Sequence, residues 1–192
     1  SVSSLCGSAD LLEALGVPID LAPGETGACL RSTGLAFLFA PRFNPALRQA
    51  APVRRSLGMR TIFNLLGPLC NPAGARRQVM GVFDRTRLRV MAEVLRALGA
   101  RRAMLVHGHD GMDEVTVTGP THVVDLKDGR IRTFTIVPED AGLRRAPLEA
   151  IIGGDVRRNV AIARAILDGE TGPARDIVLL NAAAALRVAG VA

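Results

Sequence analysis

The segment from Gln78 to His107 constrains the fold of this 192-residue chain more than any other part of it. It opens with an apolar run, residues 78–83, and closes with a second one, residues 103–107, and both are typical of buried strands. Between them, Asp84 is placed to cap a helix that ends at Gly99. The apolar positions of that helix recur at i, i+3, i+4 and i+7: Leu88, Met91, Ala92, Leu95 and Leu98. The segment therefore predicts a βαβ unit with parallel strands and a right-handed crossover.

The rest of the chain extends this unit into an α/β fold with a mixed, mainly parallel sheet flanked by helices. Residues 121–126 and 130–137 read as two strands joined by an Asp-Gly turn. We expect a helix over residues 3–15 capped by Ser3 or Ser4, a short strand over 35–40, and a last helix over about 174–188. From Ala146 the pattern is helical, with a break at Gly153-Gly154. Residues 1–192 are expected to form one partial α/β domain, in which the helical segment 45–66 packs separately.

The charge balance favours a polyanionic partner. The net charge is +6, the sequence pI is about 10.7, and Lys127 is the only lysine. Such a balance suits a phosphorylated small molecule or a nucleic acid. Because the basic residues are spread along the sequence without interleaved aromatic residues, a phosphate-bearing substrate is the better interpretation.

The three cysteines and the hydropathy pattern indicate a protein of the cytoplasm. Cys6, Cys29 and Cys70 form no CxxC pair, which argues against a zinc site, and their odd number argues against a disulfide framework. No apolar run approaches the ~20 residues needed to cross a bilayer, and no signal-peptide pattern opens the chain.

Asp113 and Glu114 are the strongest candidates for a metal site. They lie in a glycine-flanked segment, residues 108–119, that follows the second strand of the βαβ unit. Ligands of parallel sheets collect beyond the carboxyl ends of the strands. Mg²⁺ takes one or two protein carboxylates and borrows its other ligands from water and substrate phosphates. The alternative interpretation is a solvated acidic turn.

Two further groups of residues are candidates for binding anions. Hydroxyl side chains open the chain around the predicted first helix: Ser1, Ser3, Ser4 and Ser8. Hydroxyls and free N–H groups at a helix N-terminus bind anions, although an ordinary serine cap is the alternative. Arg54 lies in the run 51–72, whose Gly-Pro and Asn-Pro steps indicate a loop held in one shape. Its guanidinium could bind a carboxylate or phosphate through two hydrogen bonds, or simply be solvated.

The histidines and the double glycine suggest structural roles. His107 and His109 are accompanied by no Ser or Cys elbow, so a nucleophilic triad is not expected, and loop hydrogen bonding or exposure is. His122 lies in a predicted strand. Gly153-Gly154-Asp155 lacks a phosphate-loop lysine and is better explained as a helix break.

Five blocks of the sequence, taken in order, resemble the anthranilate phosphoribosyltransferases. They are SVSSLCGSADLLEALGV, FLFAPRFNPAL, APVRRSLGMRTIFNLLGPLCNP, VHGHDGMDEVT and LNAAAAL, and the resemblance extends over essentially the whole chain. The family transfers the phosphoribosyl group of 5-phosphoribosyl 1-pyrophosphate to the amine of anthranilate, in tryptophan biosynthesis. Its fold, a small helical domain and a larger α/β domain, is shared with the pyrimidine nucleoside phosphorylases.

The resemblance implies a role for each candidate residue. Asp113 and Glu114 would hold Mg²⁺ on the pyrophosphate, and Arg54 would meet the carboxylate of anthranilate. The phosphoribosyl donor would be contacted by residues of one N-terminal loop: Ser1, Val2, Ser3, Ser4 and Ser8. Since charge neutralisation and positioning suffice for this transfer, no covalent nucleophile is expected.

The chain also departs from the family pattern. It begins after the GTGGD-type and KHGN-type stretches and lacks the helical N-terminal region that usually supplies dimer contacts. The resemblance therefore implies a homodimer for the complete enzyme and little or no activity for this chain alone. Asn44 stands where the family often has His, and Leu5 where a basic residue is common.

Two other functions remain open from the sequence. A pyrimidine nucleoside phosphorylase of related fold would bind phosphate and a nucleoside, but it has no pyrophosphate to chelate, so the Asp113–Glu114 pair favours the transferase. A non-catalytic nucleic-acid-binding relative would explain the high pI but should lack an intact acidic pair.

Overall fold

The computed structural model describes residues 6–44 and 63–191. The chain forms two compact units. The described part of the first unit comprises residues 6–44, 63–73 and 153–164, and the second unit comprises 74–152 and 165–191.

The described part of the first unit is helical. Its helices are α1 (Ser8–Ala14), α2 (Pro23–Thr33), α3 (Ala40–Phe43), α4 (Phe63–Leu69) and the part of α6 (Val156–Leu167) up to Arg164. The prediction that α1 begins at Ser3 or Ser4 was wrong, because Gly7 is its N-cap. The Gly7 N–H donates to the Asp10 carboxylate at 2.7 Å, so an acidic residue inside the first turn closes this helix end. Pro23 favours the start of α2 for a different reason, because its fixed φ suits the first position of a helix and its missing N–H would have no partner there.

The strand predicted over residues 35–40 is absent, and this prediction was wrong. The Thr33 hydroxyl donates to the Leu35 carbonyl at 2.8 Å, so the backbone at the start of the segment is bonded to the end of α2. Pro41 then favours the helical turn α3. The apolar run is therefore a connection between two helices, and the described sheet draws all of its strands from the second unit.

The second unit contains the sheet in the order β1-β2-β3-β4. The strands are β1 (Arg77–Gly81), β2 (Arg102–Gly108), β3 (Thr121–Lys127) and β4 (Arg130–Ile136). β1 and β2 are parallel, and the other two pairings are antiparallel. The predicted mixed sheet flanked by helices is confirmed. The expectation that it is mainly parallel was wrong for the described strands, because a short turn rather than a crossover helix connects β3 and β4 and two of the three pairings are antiparallel.

The crossover helix α5 (Leu88–Ala97) follows the predicted pattern closely. Its buried residues are Leu88, Met91, Ala92 and Leu95, and it packs against β2 and β3. Leu98, predicted to be part of the same face, is the C-cap and is 64% exposed. Asp84 caps a short 3₁₀ turn, Arg85–Arg87, which leads into α5.

The long C-terminal helix α7 (Pro173–Ala189) packs against β1 and β2. Between this helix and the sheet lies a hydrophobic cluster of Met104, Val106, Val115, Val123, Ala184 and Val188. Because strand side chains alternate, Ala103 and Leu105, which are fully buried, point to the opposite face. Both faces of β2 are thus buried, which makes it the centre of the core.

Two further predictions concern the remaining connections. The Asp-Gly hairpin is confirmed, since Asp128 (φ +48°) and Gly129 (φ +79°) both have the positive φ of a type I′ turn. The helical stretch predicted before Gly153 is only a 3₁₀ turn, Leu148–Ala150, and helix α6 (Val156–Leu167) follows the break. Cys29 and Cys70 are free thiols. No helix in residues 6–44 or 63–191 is long and apolar enough to span a membrane.

Candidate functional site

The predicted carboxylate pair lies in the loop between β2 and β3, residues 109–120. β1 and β2 are parallel and end at the same edge of the sheet, where Gly81 pairs with Val106. Asp113 and Glu114 are both exposed in the loop that follows this edge. The structure therefore places the pair beyond the carboxyl ends of two parallel strands, as the sequence predicted.

The backbone of Asp113 lies directly against Gly81, the last residue of β1. A Cβ atom at position 81 would overlap the carbonyl oxygen of Asp113 and would be 2.8 Å from its carbonyl carbon. Any side chain at position 81 would therefore displace the loop. The close approach of strand and loop fixes where the acidic pair begins.

Asp110 organises the first half of the loop. One of its carboxylate oxygens accepts the Met112 N–H at 3.0 Å, and the other accepts the hydroxyls of Thr116 and Thr118, each at 2.6 Å. Burial by itself raises the pKa of Asp110, but these hydrogen bonds outweigh it and hold the pKa below its ordinary value. No role is predicted for Asp110 from the sequence, although an Asp followed by Gly and two nearby threonines is a typical loop-forming pattern.

Asn181 of α7 holds the second half of the loop. Its side-chain oxygen accepts the Val115 N–H at 3.0 Å, and its side-chain nitrogen donates to the Val115 carbonyl at 2.8 Å. The same nitrogen donates to the Ile177 carbonyl, one helical turn earlier, at 2.9 Å. In the sequence, Asn181 lies within the block LNAAAAL and no role is predicted for it. A lone amide side chain in a run of Leu and Ala was the available signal.

The electrostatics of the pair suit a bound cation. Desolvation by surrounding protein atoms, followed by the negative charge of Asp113, raises the pKa of Glu114. A divalent cation placed between the two carboxylates would remove their repulsion and favour the charged form of both. In the described residues, no three His, Cys, Asp or Glu side chains gather closely enough to hold a metal ion by themselves. Two carboxylates fit Mg²⁺, which completes its coordination with water and phosphate oxygens.

The three histidines make local contacts around this loop. His107 lies half-buried in β2 rather than in a loop, and its Nδ1 donates to the Val82 carbonyl, just after β1, at 2.8 Å. The His109 N–H donates to the Pro120 carbonyl at 2.9 Å, which ties the two ends of the loop together. His122 pairs with His107 across β2 and β3, and desolvation, followed by the charge of Arg85, lowers its pKa.

Of the other predicted site residues, the structure describes Ser8. Ser8 is the first residue of α1, a helix of seven residues. Ser1, Val2, Ser3, Ser4 and Arg54 lie outside the described residues. Their roles stay predictions.

The first unit contains a small cleft of about 190 Å³. It is lined by Leu38, Ala40 and Asn44 and by residues from the end of the run 51–72: Gly67, Pro68, Cys70, Asn71 and Pro72. The prediction that Gly67-Pro68 breaks the chain into a loop was wrong, because both residues lie inside α4 and the Cys70 N–H still donates to the Leu66 carbonyl at 3.1 Å, past the proline. The Asn-Pro step does follow the helix, and there the Ala73 N–H donates to the Asn71 side-chain oxygen at 2.9 Å.

The structure also gathers basic residues that are dispersed in the sequence. They line an open cleft of about 480 Å³ on the second unit: Arg102, Lys127, Arg130, Arg132 and Arg187. Asp125 and Asp128 also line this cleft. Sheet register explains the grouping, since Arg102, Lys127 and Arg130 are paired across three strands. We call these five cations the basic cluster.

Comparison with known proteins assigns the class. The family model described as the a/b domain of the glycosyl transferase family matches residues 1–192, so the chain belongs to this family. It is 57% identical over 192 residues to an anthranilate phosphoribosyltransferase of Moorella thermoacetica. All of this chain but only 57% of that relative is covered.

Solved structures give the same result. The chain matches an anthranilate phosphoribosyltransferase of Thermus thermophilus with a TM-score of 0.89 and 50% identity, covering 97% of this chain and 55% of that one. It also matches the Saccharomyces cerevisiae enzyme in complex with PRPP and Mg, with a TM-score of 0.84 and 26% identity. Here 93% of this chain and 52% of the yeast chain are covered. The chain thus spans about half the length of the relatives it matches.

Proposed function

We propose that this chain is the α/β part of an anthranilate phosphoribosyltransferase. The reaction would transfer the phosphoribosyl group of 5-phosphoribosyl 1-pyrophosphate to anthranilate, giving N-(5-phosphoribosyl)anthranilate and pyrophosphate. The observation that carries the proposal is the Asp113–Glu114 pair, held on a braced loop beyond two parallel strand ends. The family membership and the names of the similar proteins support the same activity.

The chemistry asks for charge neutralisation rather than a nucleophilic side chain. The bond between C1′ of the ribose and the pyrophosphate oxygen breaks, and pyrophosphate leaves with the bonding electrons. The anthranilate nitrogen forms the new bond to C1′ and loses a proton. Mg²⁺, when bound, would neutralise negative charge on the pyrophosphate. Asp113 and Glu114 would hold that ion in place, which lowers the barrier by positioning and electrostatic stabilisation.

The donor and acceptor would be bound by different parts of the sequence. The N-terminal residues Ser1, Val2, Ser3, Ser4 and Ser8 would contact the phosphoribosyl donor, and Arg54 would bind the carboxylate of anthranilate. The cleft of about 190 Å³ formed by the end of the same run is smaller than the ~300 Å³ typical of drug-sized ligands. Its size supports a ligand with a single aromatic ring.

Three further expectations belong to this proposal. The complete enzyme would act as a homodimer in the cytoplasm, and the helical segment 45–66 would pack with a helical domain. The 192-residue chain alone would turn over anthranilate slowly or not at all. Turnover by the chain alone, compared with the protein expressed from its complete coding sequence, tests the last expectation.

The substitution Asp113→Asn tests the metal role. It removes one negative charge from the pair, so we expect weaker Mg²⁺ activation of pyrophosphate release in the protein expressed from its complete coding sequence. Changing a residue that merely supports a metal ligand costs about 10–100-fold in metal affinity. Removing the charge of a ligand itself should cost at least as much. The measurement is the Mg²⁺ concentration that gives half-maximal rate.

The matched control is Asp168→Asn, an exposed Asp-to-Asn change at the end of α6. It should leave the Mg²⁺ dependence unchanged. Equal Mg²⁺ dependence in Asp113→Asn and the wild type would contradict the metal assignment. Phosphorolysis of a pyrimidine nucleoside, with no transfer to anthranilate, would favour the nucleoside phosphorylase instead.

The substitution Arg54→Ala tests the acceptor site. Loss of a guanidinium–carboxylate pair should raise the apparent KM for anthranilate about 10-fold or more, with a smaller change in the KM for the phosphoribosyl donor. The neighbouring change Arg55→Ala is the control and should leave both values near those of the wild type. If Arg54→Ala also leaves both KM values unchanged, Arg54 does not bind the substrate.

A further inference from the structure

Asn181 makes an unusually complete contact with a single residue of the loop. Its amide accepts from the Val115 N–H and donates to the Val115 carbonyl, so it pairs with both backbone polar groups of that residue. Only an amide side chain offers one acceptor and two donors in this arrangement, because a carboxylate only accepts and an aliphatic side chain does neither. The third contact, to the Ile177 carbonyl, anchors the amide to its own helix.

Val115 depends on this contact because of where it lies. Its side chain is only 2% exposed and belongs to the cluster between α7 and the sheet. A buried backbone group that loses its partner costs roughly 1–3 kcal/mol. Asn181 therefore satisfies two polar groups that the loop must bring to the edge of an apolar core.

The contact also reaches the carboxylate pair through the backbone. The Val115 N–H belongs to the peptide group that begins at the Glu114 carbonyl, and this group is planar. Fixing the N–H therefore fixes the orientation of the backbone on the C-terminal side of Glu114. On the other side, the Asp113 carbonyl lies against Gly81. The two acidic residues are held between a strand end and an amide of α7.

We propose that Asn181 is a positioning residue for the metal-binding carboxylates of this chain. By holding Val115, it keeps Glu114 beside Asp113 in the arrangement that a divalent cation needs. The metal role of Asp113 and Glu114 is part of the proposed function, and the inference rests on that role. The dependence of the Val115 backbone on Asn181 does not rest on it.

The chain supplies a matched control for this contact. Asn159 of α6 holds Gly154 in the same way: its oxygen accepts the Gly154 N–H at 2.8 Å, and its nitrogen donates to the Gly154 carbonyl at 3.2 Å. This second contact belongs to the first unit and involves no residue of the loop 109–120. Asn159→Leu therefore removes the same kind of contact without touching the backbone of Glu114.

The test compares Asn181→Leu, Asn181→Ser and Asn159→Leu in the 192-residue chain. Leucine has a similar size but neither accepts nor donates a hydrogen bond. Mn²⁺ serves as the probe, and its dissociation constant is measured by electron paramagnetic resonance without substrate. Amide hydrogen exchange at Val115 in metal-free protein is the second measurement. We expect both Asn181 variants to exchange faster at Val115 and to bind Mn²⁺ about 10-fold more weakly, whereas Asn159→Leu binds Mn²⁺ like the wild type. Should Asn181→Leu fail to fold, Asn181→Ser, which keeps a hydroxyl at the site, gives the same comparison.

Two results would overturn the inference and they are distinguishable from each other. Faster exchange at Val115 with unchanged Mn²⁺ affinity would show that Asn181 is structural only. Unchanged Mn²⁺ affinity in Asp113→Asn would instead remove the metal site itself, and with it both the proposed function of the pair and the positioning role.

Discussion

At the scale of single residues, the loop of the second unit depends on side chains that bond to backbone. Asp110 and Asn181 each satisfy several groups at once, and neither was identified as functional from the sequence. Sequence spacing identified the acidic pair itself, because a strand end followed by glycine and two carboxylates is a local pattern. The bond between Asn181 and Val115 joins residues 66 positions apart, so no local pattern could reveal it.

The substitution Asp110→Asn should destabilise the second unit by about 2 kcal/mol, because it removes hydrogen bonds to a charged group. The pKa of Asp110 lies below its ordinary value of 3.8 in the folded protein. Its stabilising contribution is therefore complete above pH 3.8 and is lost as the pH falls through the folded pKa. Chemical denaturation of both proteins between about pH 7 and pH 2 measures this contribution.

The difference in unfolding free energy between the wild type and Asp110→Asn should be largest near neutral pH and should shrink below pH 3.8. Asp168→Asn, at an exposed position, is a suitable control and should show a difference near zero throughout. A difference for Asp110→Asn that does not change with pH would contradict the charged role of this carboxylate.

At the scale of elements, the sheet was predicted correctly where the sequence has a periodic apolar pattern or residues typical of a turn. The βαβ unit and the Asp-Gly hairpin were local signals of this kind, and both are present. The strand expected over residues 35–40 is absent because an apolar run becomes a strand only beside a partner strand. Here the carbonyl of Leu35 accepts a hydrogen bond from the Thr33 hydroxyl instead. The basic cluster was missed for a related reason, since register across three strands brings together charges far apart in sequence.

The β3–β4 hairpin carries a like-charge pair that can be reversed. Lys127 and Arg130 face each other directly before and after the turn, and Arg102 extends the same row on β2. We expect Arg130→Glu to stabilise the second unit by about 0.2–1 kcal/mol, since opposite charges across strands attract and like charges repel. The measurement is thermal or urea unfolding at low salt.

The control for the hairpin is Arg130→Gln, which removes the repulsion without adding an attraction and should give a smaller gain. In about 1 M salt the two variants should become similar, because charges at the surface are then screened within ~3 Å. An equal effect of both variants at low salt would show that charge pairing does not govern this hairpin.

At the scale of the whole molecule, burial is distributed unequally. Most of the fully buried side chains lie in the second unit, whereas Ile19 and Thr26 are the buried residues among the described part of the first. We expect amides of β2 and β3 to exchange with solvent most slowly, and amides of α1 to α3 to exchange faster by about 100-fold or more, since local opening costs little where few apolar contacts are lost. Hydrogen exchange followed by mass spectrometry measures this gradient, and uniform protection of both units would contradict it.

The approach of Gly81 to Asp113 also has a consequence for how sequences of this kind can change. Position 81 has no room for a side chain as long as the loop 109–120 keeps its present conformation. Which residues are allowed at position 81 therefore depends on Asp113, 32 positions later. In a library of random variants selected for activity, glycine should remain at position 81 in nearly every survivor. Any survivor that lost it should carry a second change in the loop 109–120, and the two positions would then be inherited together.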